Sequence, residues 1–306
     1  VKKIIRETED CVSVAFEVPE ELKAVFAFEP GQNITIKKNI GGEELRRSYS
    51  ICASPDENEL KVAIKKVDAG KFSCYANETL CAGDELEVLP PTGKFNTELN
   101  ADNRKNYVAF AAGSGITPVI SIVKATLQAE PASCFTLVYG NRSRSSIIFF
   151  EELEGVKNKY LDRFNFINIL SRERTDVPVN NGRINQQKLE ELSAVINYQK
   201  TDEFFICGPE EMIFTIKDFL VSKGTDSRKI HFELFTTSGI KATPVNIAPG
   251  EKIEGGSFIT VKLDGRSFDF TLAGDKESIL DAALKQGADL PYACKGGMCC
   301  TCKAKL

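Results

Sequence analysis

NYVAFAAGSGITPVISIVKATLQAE, residues 106–130, decides the fold. Its opening residues form a continuous apolar run, the signature of a strand buried on both faces. Gly113-Ser114-Gly115 breaks the run, and ITPVISIVKATLQAE then carries apolar residues at helical spacing. Strand, glycine turn and helix in that order open a βαβ unit. The pattern continues outward. CFTLVYG is a second strand, FFEELEGVKNKY a second helix, FNFINIL a third strand, and DEFFICG another before the helical PEEMIFTIKDFLVSKG. Strands alternating with helices predict an α/β parallel-sheet domain over residues 104–235.

On the N-terminal side the texture is different. VSVAFEV, GQNITIKK, SYSIC, LKVAIKKV and DELEVL are short Val- and Ile-rich runs separated by turn residues. They predict an antiparallel β-barrel over residues 1–99, closed by PPTGKF. On the C-terminal side, residues 236–256 are rich in Gly, Pro and Thr and read as a linker. SFITVKL and RSFDFTL then flank Asp264-Gly265, a strong hairpin signal, and KESILDAALKQG reads as a helix ended by Gly287. Residues 257–306 are thus a small α+β domain, and the chain is multidomain, as its 306 residues suggest.

A net charge of -4 and a pI near 5.4 argue against nucleic acid as partner. No apolar run approaches the roughly 18–20 residues that span a bilayer. The first ten residues have no signal-peptide character, and the missing Met reads as a trimmed start. Ten cysteines without a disulfide pattern point to a reduced compartment, the cytoplasm. The single histidine, His231, rules out sites built on two or more histidines.

Cys294, Cys299 and Cys302 fall at the C-x4-C-x2-C spacing of plant-type [2Fe–2S] ligation. Cys300 is out of register. A fourth ligand is expected downstream, so the sequence reads as part of a longer protein, one whose full length holds a cluster that this stretch alone does not. Arg47-Ser48-Tyr49-Ser50, followed by Gly70-Lys71-Phe72-Ser73, supplies what a flavin requires: an aromatic face, a donor near N5, and cations with backbone N–H groups for the pyrophosphate. The Lys71–Ser73 stretch is expected to be a turn. Gly113-Ser114-Gly115-Ile116-Thr117-Pro118 places glycines and a helix N-terminus where a nucleotide pyrophosphate would bind. Arg142, Arg144, Arg172 and Arg174 follow two strands of that domain. They are candidates for a ribose 2′-phosphate, hence NADPH rather than NADH.

Taken in order, RSYS, GKFS, GSGITP, VYGNRSRSSIIF, LSRE, CGPEEM, HFELF and CKGGMCCTC resemble the ferredoxin–NADP⁺ reductase superfamily across nearly the whole chain. Within it, the resemblance is to oxygenase reductases with a C-terminal ferredoxin domain, such as those of phenylacetyl-CoA epoxygenases. It implies FAD held by Arg47, Tyr49 and Ser50, with Ile64, Lys65, Lys66, Phe72, Ser73 and Cys74 completing the site. It implies Gly113, Gly115 and Thr117 along the nicotinamide nucleotide, Cys207-Gly208-Pro209 beside the nicotinamide, and Glu233 and Phe235 closing the flavin side. Ser50, Tyr49, Cys207 and Glu233 are then the candidates for the catalytic centre, and the last domain is a partial β-grasp. The implied activity passes hydride from NAD(P)H to FAD and single electrons through the cluster to an oxygenase, such as a di-iron enzyme. Rival implications are a reductase of a Rieske or steroid oxygenase, and a non-catalytic electron-transfer component resembling that of dihydroorotate dehydrogenase.

Overall fold

The computed structural model describes residues 1–235, 257–263, 266–272, 278–288, 290, 292, 302 and 304. They form two compact units, residues 1–235 and 236–306. The predicted linker, the Asp264-Gly265 turn, Cys294, Cys299 and Cys300 lie outside the described residues.

The N-terminal part of the first unit is built from two antiparallel sheets. Strands β1 (Lys3–Thr8), β2 (Cys11–Phe16) and β5 (Leu60–Lys65) form one, in the order β1-β2-β5. Strands β3 (Asn33–Ile40), β4 (Glu43–Ser50) and β6 (Glu87–Thr92) form the other, in the order β4-β3-β6. An Ile51–Val62 bridge joins them, and Val12, Val14, Ile34, Ile36, Ile51, Val62 and Ile64 fill the interior. Pro90 and Pro91 fall inside β6 rather than beyond it. This edge strand tolerates them because its register shifts between Asn33 and Thr35 of β3. Helix α1 (Lys71–Glu78) interrupts the strand-rich region. The expected turn at Lys71–Ser73 is therefore its first turn, with Phe72 and Ala76 buried at i, i+4 spacing.

The second part is a five-stranded parallel sheet, order β11-β10-β7-β8-β9. Its strands are β7 (Asn106–Ala112), β8 (Cys134–Asn141), β9 (Phe164–Leu170), β10 (Glu203–Gly208) and β11 (Ile230–Leu234). Helices α2 (Ile116–Ala129) and α3 (Phe150–Lys159) supply apolar residues to one core cluster. Helices α4 (Gln186–Leu192) and α5 (Glu210–Ser222) supply the other. Alternate residues of β7 enter opposite clusters, Tyr107, Ala109 and Ala111 in one and Val108 and Phe110 in the other. That double burial explains the unbroken apolar run. From β7 the chain proceeds to β8 and β9 on one side and to β10 and β11 on the other. A topological switch point thus opens between the C-terminal ends of β7 and β10.

Polar and apolar contacts fasten the two parts together. Lys124 of α2, 8% exposed, donates to both oxygens of Glu57 (2.9 and 2.7 Å) and to Glu152 Oε1 (2.5 Å). Glu152 Oε2 also accepts from Lys61 of β5 at 3.4 Å. Ser121 donates to the Ala53 carbonyl at 2.6 Å, and Phe95 meets Phe205 edge to face at 5.5 Å.

In the second unit, β12 (Ser257–Leu263) pairs antiparallel with β13 (Arg266–Leu272). Helix α6 (Ile279–Lys285) is capped by Ser278, whose hydroxyl accepts from the Asp281 N–H. Phe270, Ala282, Ala283 and Ala288 form its small core.

Candidate functional site

Alternation along β4 puts Arg47 and Tyr49 on one face and Ser48 and Ser50 on the other. The half-buried Tyr49 ring lies 5.7 Å from that of Phe72. Burial pushes its phenol pKa up, and Arg47 pulls against that shift. Arg47 is exposed, with Nη1 donating to the Arg46 carbonyl at 2.8 Å. The α1 N-terminus has Gly70 at its cap and no side-chain capping bond, leaving its first-turn N–H groups for another acceptor. Ser73 folds back into this turn: its hydroxyl donates to the Gly70 carbonyl (3.2 Å) and accepts from the Val67 N–H (3.1 Å). Cys74 Sγ also turns inward, donating to the Val67 carbonyl.

The side chains of Lys65 and Lys66 are both held in ion pairs. Lys65 pairs with Asp10 at 3.4 Å and Lys66 with Glu78 at 2.5 Å. Ile64 is fully buried and its carbonyl accepts from Asn77. Segment 64–66 thus has its side chains in the barrel and part of its backbone bonded there too, the Lys66 N–H to the Asp10 carbonyl at 2.6 Å.

Three expected residues do converge where the two parts meet. Ser50, 4% exposed, donates to Glu233 Oε2 at 3.2 Å. In the β10–β11 ladder Glu233 stands beside Cys207. Burial, then the negative charge of Glu233, hold the Cys207 thiol well above its ordinary pKa, so it is a neutral group. Opposite Ser50 in the β3–β4 ladder is Asn33, 3% exposed, whose Oδ1 has no hydrogen-bond partner. A dry acceptor is costly. Beside Ser50, it marks an edge that a hydrogen-bonding ring system would complete. Together with the half-buried tyrosine and the uncapped helix, the residues fit a flavin.

On the nucleotide side, Gly113 has φ +53°, and its carbonyl accepts from the buried Tyr139 hydroxyl at 2.8 Å. Thr117, 3% exposed, donates to the Ser114 carbonyl at 3.0 Å. Its hydroxyl thus closes the turn. Gly115 has a packing reason of its own: a Cβ there would lie 2.1 Å from the Cys207 carbonyl oxygen. Helix α2 begins with no acidic residue in its first turn, whereas α5, after Pro209, begins with Glu210 and Glu211. Between the two, an anion is favoured at α2. At the end of β8, Asn141 Nδ2 is buried without a partner, and Asn168 Oδ1 of β9 is a second such atom. Backbone bonds hold the two arginine loops side by side, with the Arg172 N–H on the Arg142 carbonyl at 2.8 Å. Arg142 and Arg172 are exposed. Arg144 is already engaged, stacked 4.7 Å above the Phe150 ring with its N–H on Glu173.

Among the cysteines proposed for iron, Cys302 is half-buried, and the other two lie outside the described residues. Sequence reasoning did not single out Asn33 or Tyr139, although both lay in quoted stretches, GQNITIKK and VYGNRSRSSIIF.

Residues 1–97 match the oxidoreductase FAD-binding domain, 110–218 the oxidoreductase NAD-binding domain, and 261–306 the 2Fe-2S iron-sulfur cluster binding domain. The sequence is 46% identical over 309 positions to a component of the 1,2-phenylacetyl-CoA epoxidase of Escherichia coli (strain K12), covering 100% of this chain and 85% of that one. It is 32% identical over 308 positions to the ferredoxin reductase component of 3-ketosteroid-9-alpha-monooxygenase from Rhodococcus rhodochrous, covering 99% and 83%. The FAD/NAD binding domain of nitric oxide dioxygenase from Vibrio cholerae O1 biovar El Tor superposes with a TM-score of 0.67 at 25% identity. That match spans 77% of this chain and 96% of the other. A ferredoxin NADP+ reductase from Neisseria gonorrhoeae shares the fold, with a TM-score of 0.63 at 20% identity over 76% and 95%.

Proposed function

The chain belongs to the family of FAD- and NAD-binding reductases that serve oxygenase systems, and we propose that its electron acceptor is an oxygenase of the phenylacetyl-CoA epoxidase type. It is an NAD(P)H-dependent flavoprotein oxidoreductase with a 2Fe-2S domain for electron transfer. The observation that carries the finer reading is 46% identity along the whole chain to the epoxidase component.

A bound flavin supplies the conversion between a two-electron hydride donor and a one-electron acceptor. The chain's own residues do the rest. Arg47, Tyr49 and the α1 N-terminus hold FAD; Ser50, supported by Glu233, presents a hydroxyl at its reactive edge. The Gly113–Thr117 turn and the α2 N-terminus hold the nucleotide pyrophosphate, and Arg142 with Arg172 recognises a 2′-phosphate, which makes NADPH the preferred donor. Cys207, a buried neutral thiol, lines the switch point without contributing charge. Cys294, Cys299 and Cys302 supply thiolates to the cluster. Among the described residues, the unpaired thiols of Cys11, Cys52, Cys74, Cys81, Cys134 and Cys207 favour a reducing, cytoplasmic setting. No helix among the described residues is long and apolar enough to cross a membrane.

The test is reconstitution of the full-length protein with separate oxygenases and NADPH. Coupled turnover of phenylacetyl-CoA with its epoxidase is expected. Coupling only to a Rieske or steroid oxygenase would reassign the acceptor.

A further inference from the structure

Asn77, in the last turn of α1, is 8% exposed and uses every polar group it has. Its amide nitrogen donates to the Ile64 carbonyl at 2.9 Å and to the Ser73 carbonyl at 2.8 Å. The two arms of Arg6, from β1, grip its other side: Nη1 donates to Asn77 Oδ1 at 2.9 Å and Nη2 to the Asn77 carbonyl at 2.6 Å. The amide orientation is forced, since a flipped amide would set an acceptor against two carbonyls and a donor against the guanidinium.

The two carbonyls belong to the two segments expected to flank the flavin, 64–66 at the end of β5 and 72–74 in the first turn of α1. A planar amide bridging them fixes their separation, and Ser73 passes the constraint on through its bonds to Gly70 and Val67. In the first segment the side chains of Lys65 and Lys66 are held by Asp10 and Glu78 and the Lys66 N–H by the Asp10 carbonyl, so Asn77 acts on a segment whose course is already tied to the barrel. We infer that Asn77, oriented by Arg6, is a positioning residue for FAD: it sets the spacing of the two segments and thereby the affinity and potential of the bound flavin. This rests on the flavin site described above.

The experiment titrates flavin-free full-length protein with FAD, and measures the flavin midpoint potential, the KM for NADPH and the thermal midpoint of the flavin-free form. Wild type should take one FAD per chain. Asn77→Asp, nearly isosteric but without donors at neutral pH, should weaken FAD binding by about tenfold or more, because two buried carbonyls would face a carboxylate. It should also shift the flavin potential and leave the KM for NADPH unchanged. Binding should partly recover near pH 4–5, roughly where a protonated carboxyl can donate. Arg6→Gln, which leaves the amide in place, should weaken FAD binding by about threefold or more, and it decides the matter if Asn77→Asp does not fold. A lowered thermal midpoint with FAD affinity and potential unchanged in a folded variant would overturn the inference. Failure of wild type to bind FAD would instead bring down the flavin site itself, and this proposal with it.

Discussion

Ser50 of the barrel and Glu233 of the nucleotide sheet, 183 residues apart in sequence, share one hydrogen bond, Ser50 Oγ donating to Glu233 Oε2 at 3.2 Å. The bond fixes a hydroxyl where the two cofactor-binding parts face each other. Ser50→Ala should keep bound FAD, whose anchors are elsewhere, yet slow flavin reduction by NADPH about tenfold or more, the effect of losing roughly 1.4 kcal/mol in the transition state. Stopped-flow absorbance measures this. An unchanged rate would reduce Ser50 to a strand residue.

Nucleotide choice is tested at Arg142. Losing one charge-assisted phosphate contact costs about 1.5–3 kcal/mol, so Arg142→Ala should raise the KM for NADPH roughly 10- to 100-fold. The KM for NADH should hardly change. Equal use of both nucleotides by the unmutated protein would count against the 2′-phosphate site altogether.

Much of this was legible in the sequence. The parallel sheet showed itself because strands buried on both faces leave unbroken apolar runs, as in residues 107–112. Helix α1 was hidden because its apolar pair, Phe72 and Ala76, is too short a pattern to stand out among strands. Helix α4 escaped for the same reason, with Leu189 and Leu192 as its only buried apolar residues. Motifs named Ser50 and Glu233, which the fold brings into contact. They could not reveal that Lys65 and Lys66 spend their charges on Asp10 and Glu78, nor that Gly115 is required by the nearby Cys207 carbonyl. Those facts depend on which strands become neighbours. Asn77 and Arg6, 71 residues apart, belong to no local pattern.

Stability should depend strongly on Glu130, which is fully buried. Its carboxylate accepts from the Asn100 N–H, Asn103 Nδ2, the Tyr107 hydroxyl and Ser133 Oγ, at 3.1, 2.6, 2.9 and 2.7 Å. Each donor left dry costs roughly 1–3 kcal/mol, and some will regain water, so Glu130→Ala should destabilise the first unit by about 3–5 kcal/mol. Urea unfolding followed by circular dichroism measures it. A loss below about 1 kcal/mol would mean that water replaces the carboxylate fully.

Acid sensitivity should be traceable to Glu203. Burial raises its pKa, but the hydrogen bond and charge of His231, 2.9 Å away, together with Lys105, outweigh that and leave it depressed. A depressed carboxylate stabilises the fold above its unfolded pKa, about 4.3, and that contribution is lost as pH falls toward the folded value. Glu203→Gln should therefore lower stability at neutral pH and flatten its decline below about pH 4.3. Parallel unfolding curves for variant and wild type across that range would remove Glu203 from the account.

The ion cluster around Lys124 also limits how such reductases can be recombined. Its ammonium is nearly sealed from water, and its two carboxylate partners come from opposite parts of the first unit, Glu57 from the barrel and Glu152 from α3. A chimera that takes its barrel from one relative and its nucleotide half from another inherits one side of this arrangement from each parent. If the incoming barrel lacks an acid at the Glu57 position, the splice strands a buried cation at the seam. Interchangeable halves must therefore carry Glu57, Lys124 and Glu152 as a matched set.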